Sequence, residues 1–102
     1  MYTIEELKER VSETVRTYNQ NAKDDAKIKK VSLFGSYAKG CAQETSDVDL
    51  LVAFSSSVVS LFTLARALDS FENHLAVPVD IIQDPIPSNA LFDIEMVIPL
   101  YE

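Results

Sequence analysis

Two aspartates separated by one residue are the part of this sequence best suited to chemistry. Asp47 and Asp49 precede an apolar run, Leu50 to Phe54, that has the character of a buried strand. Side chains two positions apart on a strand point to the same side, so these carboxylates lie together. They repel each other unless one is protonated or a cation lies between them. Because Mg²⁺ prefers carboxylate oxygens and keeps positions for water and phosphate, the pair predicts a divalent metal site.

Asp80 is the third candidate, in a later strand of alternating character, VPVDIIQ. An ionised aspartate buried between Val79 and Ile81 is unfavourable without a partner. If the strands of Asp49 and Asp80 are neighbours, three carboxylates meet and can hold two metal ions. Such ions activate an attacking hydroxyl and stabilise charge on a phosphorus atom. Asp80 would hold the ion at the nucleophile and help to take its proton.

A Gly-Ser pair, Gly35 and Ser36, lies between a predicted strand and a short helical turn. Glycine lets the backbone turn sharply or approach a ligand closely. Backbone N–H groups at such a turn favour an anion, and the serine hydroxyl can hold a terminal phosphate. Lys39 can add a positive charge at the same phosphates, or it is a solvated lysine on a surface turn.

Each signal also has a purely structural interpretation. Aspartates at strand ends discourage edge pairing, and a lone Gly-Ser is usually only a turn. Asp80 alone can be satisfied by backbone donors. The order and spacing of the three signals together favour a functional site.

Apolar periodicity predicts the elements that position these residues. Helices are predicted at residues 3–19, 60–75 and 88–98, a helical turn at 36–39, and strands at 28–34, 47–54 and 77–83. Thr3 and Glu6 fit a capping box, and Pro99 is predicted to end the last helix. The stripe predicted to face the core from the second long helix is Leu61, Leu64, Leu68, Phe71 and Leu75. The fold class is α+β with α/β-like features: a small mixed sheet of three or more strands, at least partly parallel, flanked by about four helices.

Composition sets limits on partners and location. The chain has 102 residues and a net charge of −7, which predicts one domain, residues 1–102, that repels nucleic-acid backbones. The basic run Lys23, Lys27, Lys29 and Lys30 is interpreted as a solvated loop. A nucleoside triphosphate can still bind, because a metal ion reverses the local sign. No apolar run is long enough to cross a bilayer, and MYTIEELKERV does not resemble an export signal, so a cytoplasmic location is expected.

The segment GSYAKGCAQETSDVDLLV resembles the signature of the DNA polymerase beta-like nucleotidyltransferase superfamily. Ten residues separate Ser36 from Asp47, SDVDL is present as such, and VDII at Val79 to Ile82 resembles the context of the third carboxylate. The short chain resembles the minimal nucleotidyltransferases (MNT) encoded beside a HEPN-domain protein.

This resemblance implies an antitoxin in a hetero-oligomeric complex, which transfers AMP from ATP to a tyrosine of a HEPN ribonuclease toxin. It implies Gly35 and Ser36 at the triphosphate and two Mg²⁺ ions held by Asp47, Asp49 and Asp80. Many members have arginine at the position of Tyr37 or Lys39; lysine keeps the charge but loses the bidentate fork. Two alternatives remain open: a non-catalytic antitoxin that acts by binding, and a nucleotidyltransferase acting on a small molecule or an RNA end.

Overall fold

A mixed β-sheet with helices packed against it is the frame of this protein. The computed structural model describes residues 2–43, 46–84 and 96–102. Its elements are α1 (Ile4–Asn21), a 3-10 turn (Asp24–Ala26), β1 (Ile28–Phe34), α2 (Gly35–Ala38), β2 (Val48–Phe54), α3 (Leu61–Leu75), β3 (Val79–Asp84) and β4 (Ile98–Tyr101). The strand order is β3-β2-β1-β4; β2 and β3 are parallel, and the other neighbours are antiparallel. The predicted α+β class with a mixed sheet is confirmed.

The core lies between the sheet and the two long helices. Its largest fully buried side chains come from α1, α3 and alternate positions of β1 and β2: Leu7, Val11, Val15, Ile28, Val31, Leu33, Val48, Leu50, Val52, Phe71 and Leu75. Each side chain of this kind contributes roughly 1.5–3 kcal/mol when it leaves water. The predicted capping box of α1 is confirmed, because Thr3 Oγ1 accepts from the Glu6 N–H at 3.1 Å and the Thr3 N–H donates to Glu6 Oε1 at 3.0 Å. None of the described helices has the length and apolar content needed to cross a bilayer.

Asn19 joins the end of α1 to the start of β1. Its Nδ2 donates to the Ile28 carbonyl at 2.9 Å, and its Oδ1 accepts from the Ile28 N–H at 2.8 Å. Nearby, the Tyr18 hydroxyl donates to the Ala26 carbonyl at 2.8 Å. These bonds satisfy backbone groups of Ala26 and Ile28 in the segment between α1 and β1, and they fix where β1 enters the sheet.

The predicted core stripe of α3 is wrong at its first residue. Phe71 and Leu75 are buried and Leu64 is partly buried, but Leu61 is 83% exposed. A stripe with a period of 3.5 residues drifts by about 20° per heptad around a straight helix, so over two heptads Leu61 is displaced from Leu75 toward the edge of the buried face. Leu61 is also in the first turn of α3, after the cap Ser60.

The last part of the chain contains a strand where the sequence predicted the end of a helix. Most of the predicted helix, residues 88–95, lies outside the described residues. Met96 and Val97 are not helical, and Ile98 and Pro99 belong to β4, which pairs with β1. Proline is acceptable there because β4 is an edge strand and needs fewer backbone donors than a central strand. The described residues thus contain three α-helices and four strands.

Candidate active site

The start of β2 is where the predicted site residues meet. Because β1 is antiparallel to β2 and β3 is parallel to it, the end of β1 and the starts of β2 and β3 lie at one edge of the sheet. Asp49 is paired in register with Phe34 on one side and with Asp80 on the other. The condition on which the three-aspartate site depends, that the strands of Asp49 and Asp80 are neighbours, is therefore met.

The aspartates lie on the face of the sheet that points away from the helices. Val48 and Leu50 are fully buried in the core between sheet and helices. Because side chains alternate along a strand, Asp49 points to the opposite face. Asp49 is half-buried, whereas Asp47, just before β2, and Asp80, on the edge strand β3, are exposed. The site is therefore open to a second molecule on the side of Asp47 and Asp80.

The charge on Asp49 is disfavoured by its surroundings. Partial burial, followed by the negative charges of Asp80 and Asp47 and a hydrogen bond with Asp80, raises the pKa of Asp49 to about 6. A carboxylate whose charge is opposed by like charges gains from any cation that binds between them. The charges of Asp80 and Asp47 therefore both act on Asp49, while the two-metal site itself stays a prediction.

Gly35 brings the backbone of the Gly-Ser turn against Asp49. Its φ is +74°, a backbone conformation that residues with a Cβ rarely adopt. A Cβ at this position would overlap Oδ2 of Asp49. Ser36 follows immediately and is half-buried. The Gly-Ser turn and Asp49 thus belong to one site, while a role for Gly35 and Ser36 at a triphosphate stays a prediction.

Lys39 lies one helical turn beyond Gly35. α2 is only four residues long, and the Lys39 N–H donates to the Gly35 carbonyl at 3.1 Å. The Cys41 N–H then donates to the Ser36 carbonyl at 3.0 Å, which closes the turn. Lys39 is exposed, and its contribution to phosphate binding stays a prediction.

Comparison with known proteins identifies the family. The model of the nucleotidyltransferase domain matches residues 4–97. The chain belongs to this family. This nucleotidyltransferase is 37% identical over 84 residues to a Methanocaldococcus jannaschii protein provisionally named protein adenylyltransferase MJ1215, covering 80% of this chain and 90% of that protein. It is 31% identical over 83 residues to protein adenylyltransferase MntA of Thermococcus cleftensis, covering 80% and 78%.

Solved structures of similar fold agree with this membership. A toxin-antitoxin crystal structure with AMP-PNP has a TM-score of 0.70 at 19% identity, covering 92% of this chain and 72% of that one. A complex of tri-AMPylated Shewanella oneidensis HEPN toxin with MNT antitoxin has a TM-score of 0.63 at 13% identity, covering 97% and 72%. At these identities the likeness establishes the fold. The resemblance first indicated by the Gly-Ser and Asp-x-Asp pattern is confirmed.

The carboxylates at this site are of the kind that binds Mg²⁺, although the described residues do not form a complete set of ligands. Within residues 2–43, 46–84 and 96–102, no three His, Cys, Asp or Glu side chains are grouped as a metal-binding cluster. Mg²⁺ is commonly bound by only one or two carboxylates together with substrate phosphates and water, so a preformed cage of three is not required. Asp49 meets this need best, because a cation would relieve the repulsion from Asp47 and Asp80.

Phe34 is a residue of the site that the sequence did not predict. It is the register partner of Asp49, and directly opposite residues of an antiparallel pair place their side chains on the same face. The half-buried Phe34 ring therefore lies beside Asp49 on the face that carries the aspartates. Its one signal in the sequence is its position just before Gly35, at the end of a strand.

Proposed function

We propose that this nucleotidyltransferase is an antitoxin that transfers AMP from ATP to a tyrosine hydroxyl of a HEPN-domain toxin and so neutralises it. The observation that carries the proposal is the placement of Asp49 between Gly35 and Asp80 at one edge of the sheet. The names of the relatives, which are protein adenylyltransferases, support it. The AMPylated HEPN toxin bound to its antitoxin in a structure of the same fold supports the choice of partner.

The site residues have separate roles in this transfer: some would bind the metal and others the phosphates. Asp47 and Asp49 would hold Mg²⁺ with Asp80, and two ions would fit this set of carboxylates. When bound, the metal supplies charge neutralisation at the phosphates and a lower pKa for the acceptor hydroxyl. The Ser36 hydroxyl and the backbone N–H groups at Gly35 would hold the terminal phosphate of ATP.

The bond changes are a single displacement at the α-phosphorus. The tyrosine oxygen of the toxin forms a bond to that phosphorus, the bond to the bridging oxygen breaks, and pyrophosphate leaves. Asp80 takes the hydroxyl proton, a role suited to an exposed carboxylate on an edge strand that an acceptor can reach. Lys39 would add positive charge for the leaving pyrophosphate. ATP is available in the cytoplasm, which is the location that this function implies.

The test uses α-³²P-labelled ATP, Mg²⁺ and the cognate HEPN-domain toxin that the proposal requires. Label is expected on a HEPN tyrosine, located by mass spectrometry, and Asp47→Asn, Asp49→Asn and Asp80→Asn each lower the rate by about 100-fold or more. Asp84→Asn is the matched control, because Asp84 is on the same face of β3 but four residues further from the site. A similar loss in Asp84→Asn would contradict the assignment of Asp80.

The second candidate is a non-catalytic antitoxin, which neutralises the toxin by binding alone. The observation that favours it is the absence of a preformed metal-binding cluster among the described residues. The same experiment separates the two. If no label is transferred and the Asp47→Asn/Asp49→Asn protein suppresses toxin activity as well as the wild type does, binding alone explains neutralisation.

A further inference from the structure

A cleft separates the C-terminal end of α1 from the N-terminal end of α3, far from the aspartates. It has a volume of about 340 Å³. The residues that line this α1–α3 cleft are Tyr18, Asn21, Ala22, Lys23, Ala26, Ser60, Phe62, Thr63 and Arg66. The strand β1 begins beside this end of the molecule and ends beside Asp49, so its seven residues separate the cleft from the active site. At about 3.3 Å per residue, that distance is on the order of 20 Å.

The charge of the cleft is opposite to that of the protein. The chain has 16 acidic and 9 basic residues. Among the described residues that line the cleft, Lys23 and Arg66 are basic and none is acidic. The salt bridge found among the described residues joins Lys27 to Asp24 at 3.4 Å, so it neutralises neither cation of the cleft. A local positive site on an acidic protein selects for a negatively charged partner.

Large apolar side chains are exposed to water beside the cleft, at the N-terminal end of α3. Val58, Leu61 and Phe62 are 81%, 83% and 73% exposed, more than any other large apolar side chain among the described residues. Val58 lies in the loop before α3, and Leu61 and Phe62 are the first two residues of the helix, so all three are at its N-terminal end. Phe62 also lines the cleft. Exposed aliphatic and aromatic groups beside unpaired cations are typical of protein-binding surfaces.

Intramolecular hydrogen bonds fix both sides of the cleft in the absence of a partner. On the α1 side, the Tyr18 hydroxyl donates to the Ala26 carbonyl at 2.8 Å. On the α3 side, Ser60 Oγ accepts from the Thr63 N–H at 3.1 Å, which caps the helix. A preformed site loses less conformational entropy on binding than one that must first become ordered.

We infer that the α1–α3 cleft binds an acidic, apolar segment of the acceptor protein, with carboxylates at Lys23 and Arg66 and an apolar side chain against Phe62. The identity of the occupant as the acceptor rests on the proposed function. Docking about 20 Å from the aspartates holds the acceptor protein while leaving Asp80 free to meet its hydroxyl. Aliphatic exposure at Val58 and Leu61 favours a polypeptide over RNA, because RNA binding uses aromatic platforms rather than aliphatic ones.

The first test measures binding to the cleft without ATP or acceptor. The probe is a fluorescein-labelled peptide of about twelve residues built from Glu and Leu, the chemistry of an acidic amphipathic segment. Fluorescence anisotropy with the full chain should show saturable binding. Phe62→Ser, Arg66→Glu and Lys23→Glu should each raise the Kd by about tenfold or more. Lys8→Glu, an equal charge change at an exposed position of α1, is the control and should leave the Kd unchanged.

Equal binding by wild type and all three cleft variants would overturn the inference. So would tighter binding of an oligouridylate of matched charge, which would make the cleft an RNA site. Concentration-dependent self-association that Arg66→Glu abolishes would instead make its occupant a second copy of the chain. Because Lys23, Phe62 and Arg66 are exposed, unchanged circular dichroism and Tm are expected for the variants.

The second test uses the acceptor itself. With the HEPN protein and saturating ATP, Phe62→Ser and Arg66→Glu should raise the KM for the protein acceptor by about tenfold while kcat and the Kd for ATP stay unchanged. Transfer that is normal in both variants refutes docking at the cleft but leaves the proposed function intact. Absence of transfer by the wild type, with peptide binding retained, refutes the proposed function instead.

Discussion

At the scale of single residues, Gly35 and Asp49 constrain each other. Gly35→Ala must accommodate both a positive φ and the overlap of its Cβ with Asp49 Oδ2. Gly40 has the same φ of +74° but nothing within 4 Å of a Cβ, so it isolates the cost of the backbone conformation. We expect Gly40→Ala to cost about 1 kcal/mol and Gly35→Ala about 3 kcal/mol of unfolding free energy, measured by urea denaturation. Equal losses would mean that Asp49 simply moves aside.

The raised pKa of Asp49 gives a second prediction at this scale. Its ordinary pKa is 3.8 and its folded value is about 6, so the folded state holds the proton over this window after the unfolded state has released it. Stability therefore falls as pH rises from about 4 to about 6 and stays lower above that. Asp49→Asn removes this penalty.

We expect Asp49→Asn to be more stable than the wild type by about 1 kcal/mol at pH 7.5, after allowance for solvent screening of a half-buried group. At pH 3.5 the difference should vanish, because both states of the wild type are then mostly protonated. Thermal denaturation at the two pH values, without Mg²⁺, measures it, with the exposed Asp25→Asn as control. A loss of stability at pH 7.5 would contradict the electrostatic account.

The sequence indicated which aspartates are candidates for the site, but it did not predict which residues surround them. A spacing of one residue and a strand alternation suffice to place Asp47 and Asp49 together, and both are local properties. The pairing of Asp49 with Phe34 and Asp80 depends on which strands are neighbours and in what register. Register is a property of the whole sheet, so neither Phe34 nor the overlap at Gly35 was predictable from the motif.

At the scale of elements, Asn19 determines how α1 is joined to β1. Both of its hydrogen bonds to Ile28 are partly buried. Asn19→Ala removes two side-chain partners and leaves the Ile28 N–H and carbonyl unpaired, so we expect a loss of about 2 kcal/mol. Asn73→Ala, an exposed asparagine whose contact is Asp69 at 3.3 Å, should change stability by less than about 0.5 kcal/mol. Urea denaturation measures the free energy of unfolding of both variants. Equal losses would show that the hydrogen bonds of Asn19 do not stabilise the connection between α1 and β1.

The elements themselves were predictable where the local pattern is strong. Strand β1 has the predicted bounds, α1 begins after the predicted cap Thr3, and α3 begins one residue after the predicted start at residue 60. The prediction failed at β4, whose four residues are too few to show a strand period and contain Pro99. What makes Ile98–Tyr101 a strand is its pairing with β1, a contact between distant parts of the chain.

At the scale of the whole molecule, metal and nucleotide should stabilise the fold together. A ligand that binds only the folded state at about 100 times its Kd adds about 2.7 kcal/mol of stability. For a domain of this size, each kcal/mol raises Tm by about 4–8 °C, so ATP with excess Mg²⁺ should raise Tm by roughly 10 °C or more. The physical reason is that partial burial and the negative charges of Asp80 and Asp47, which raise the pKa of Asp49, oppose its ionised form, and a bound cation offsets this cost.

Differential scanning fluorimetry with ATP, Mg²⁺ and EDTA measures this coupling. ATP with EDTA should give little shift, because the triphosphate would then face a site with three carboxylates and a chain of net charge −7. The Asp47→Asn/Asp49→Asn protein should lose the Mg²⁺-dependent part of the shift, whereas Asp84→Asn should keep it. A shift with ATP that is the same in EDTA as in Mg²⁺ would mean that the nucleotide binds away from the aspartates, and the metal assignment would be wrong. Because this measurement needs no toxin, it tests the nucleotide site independently of the partner.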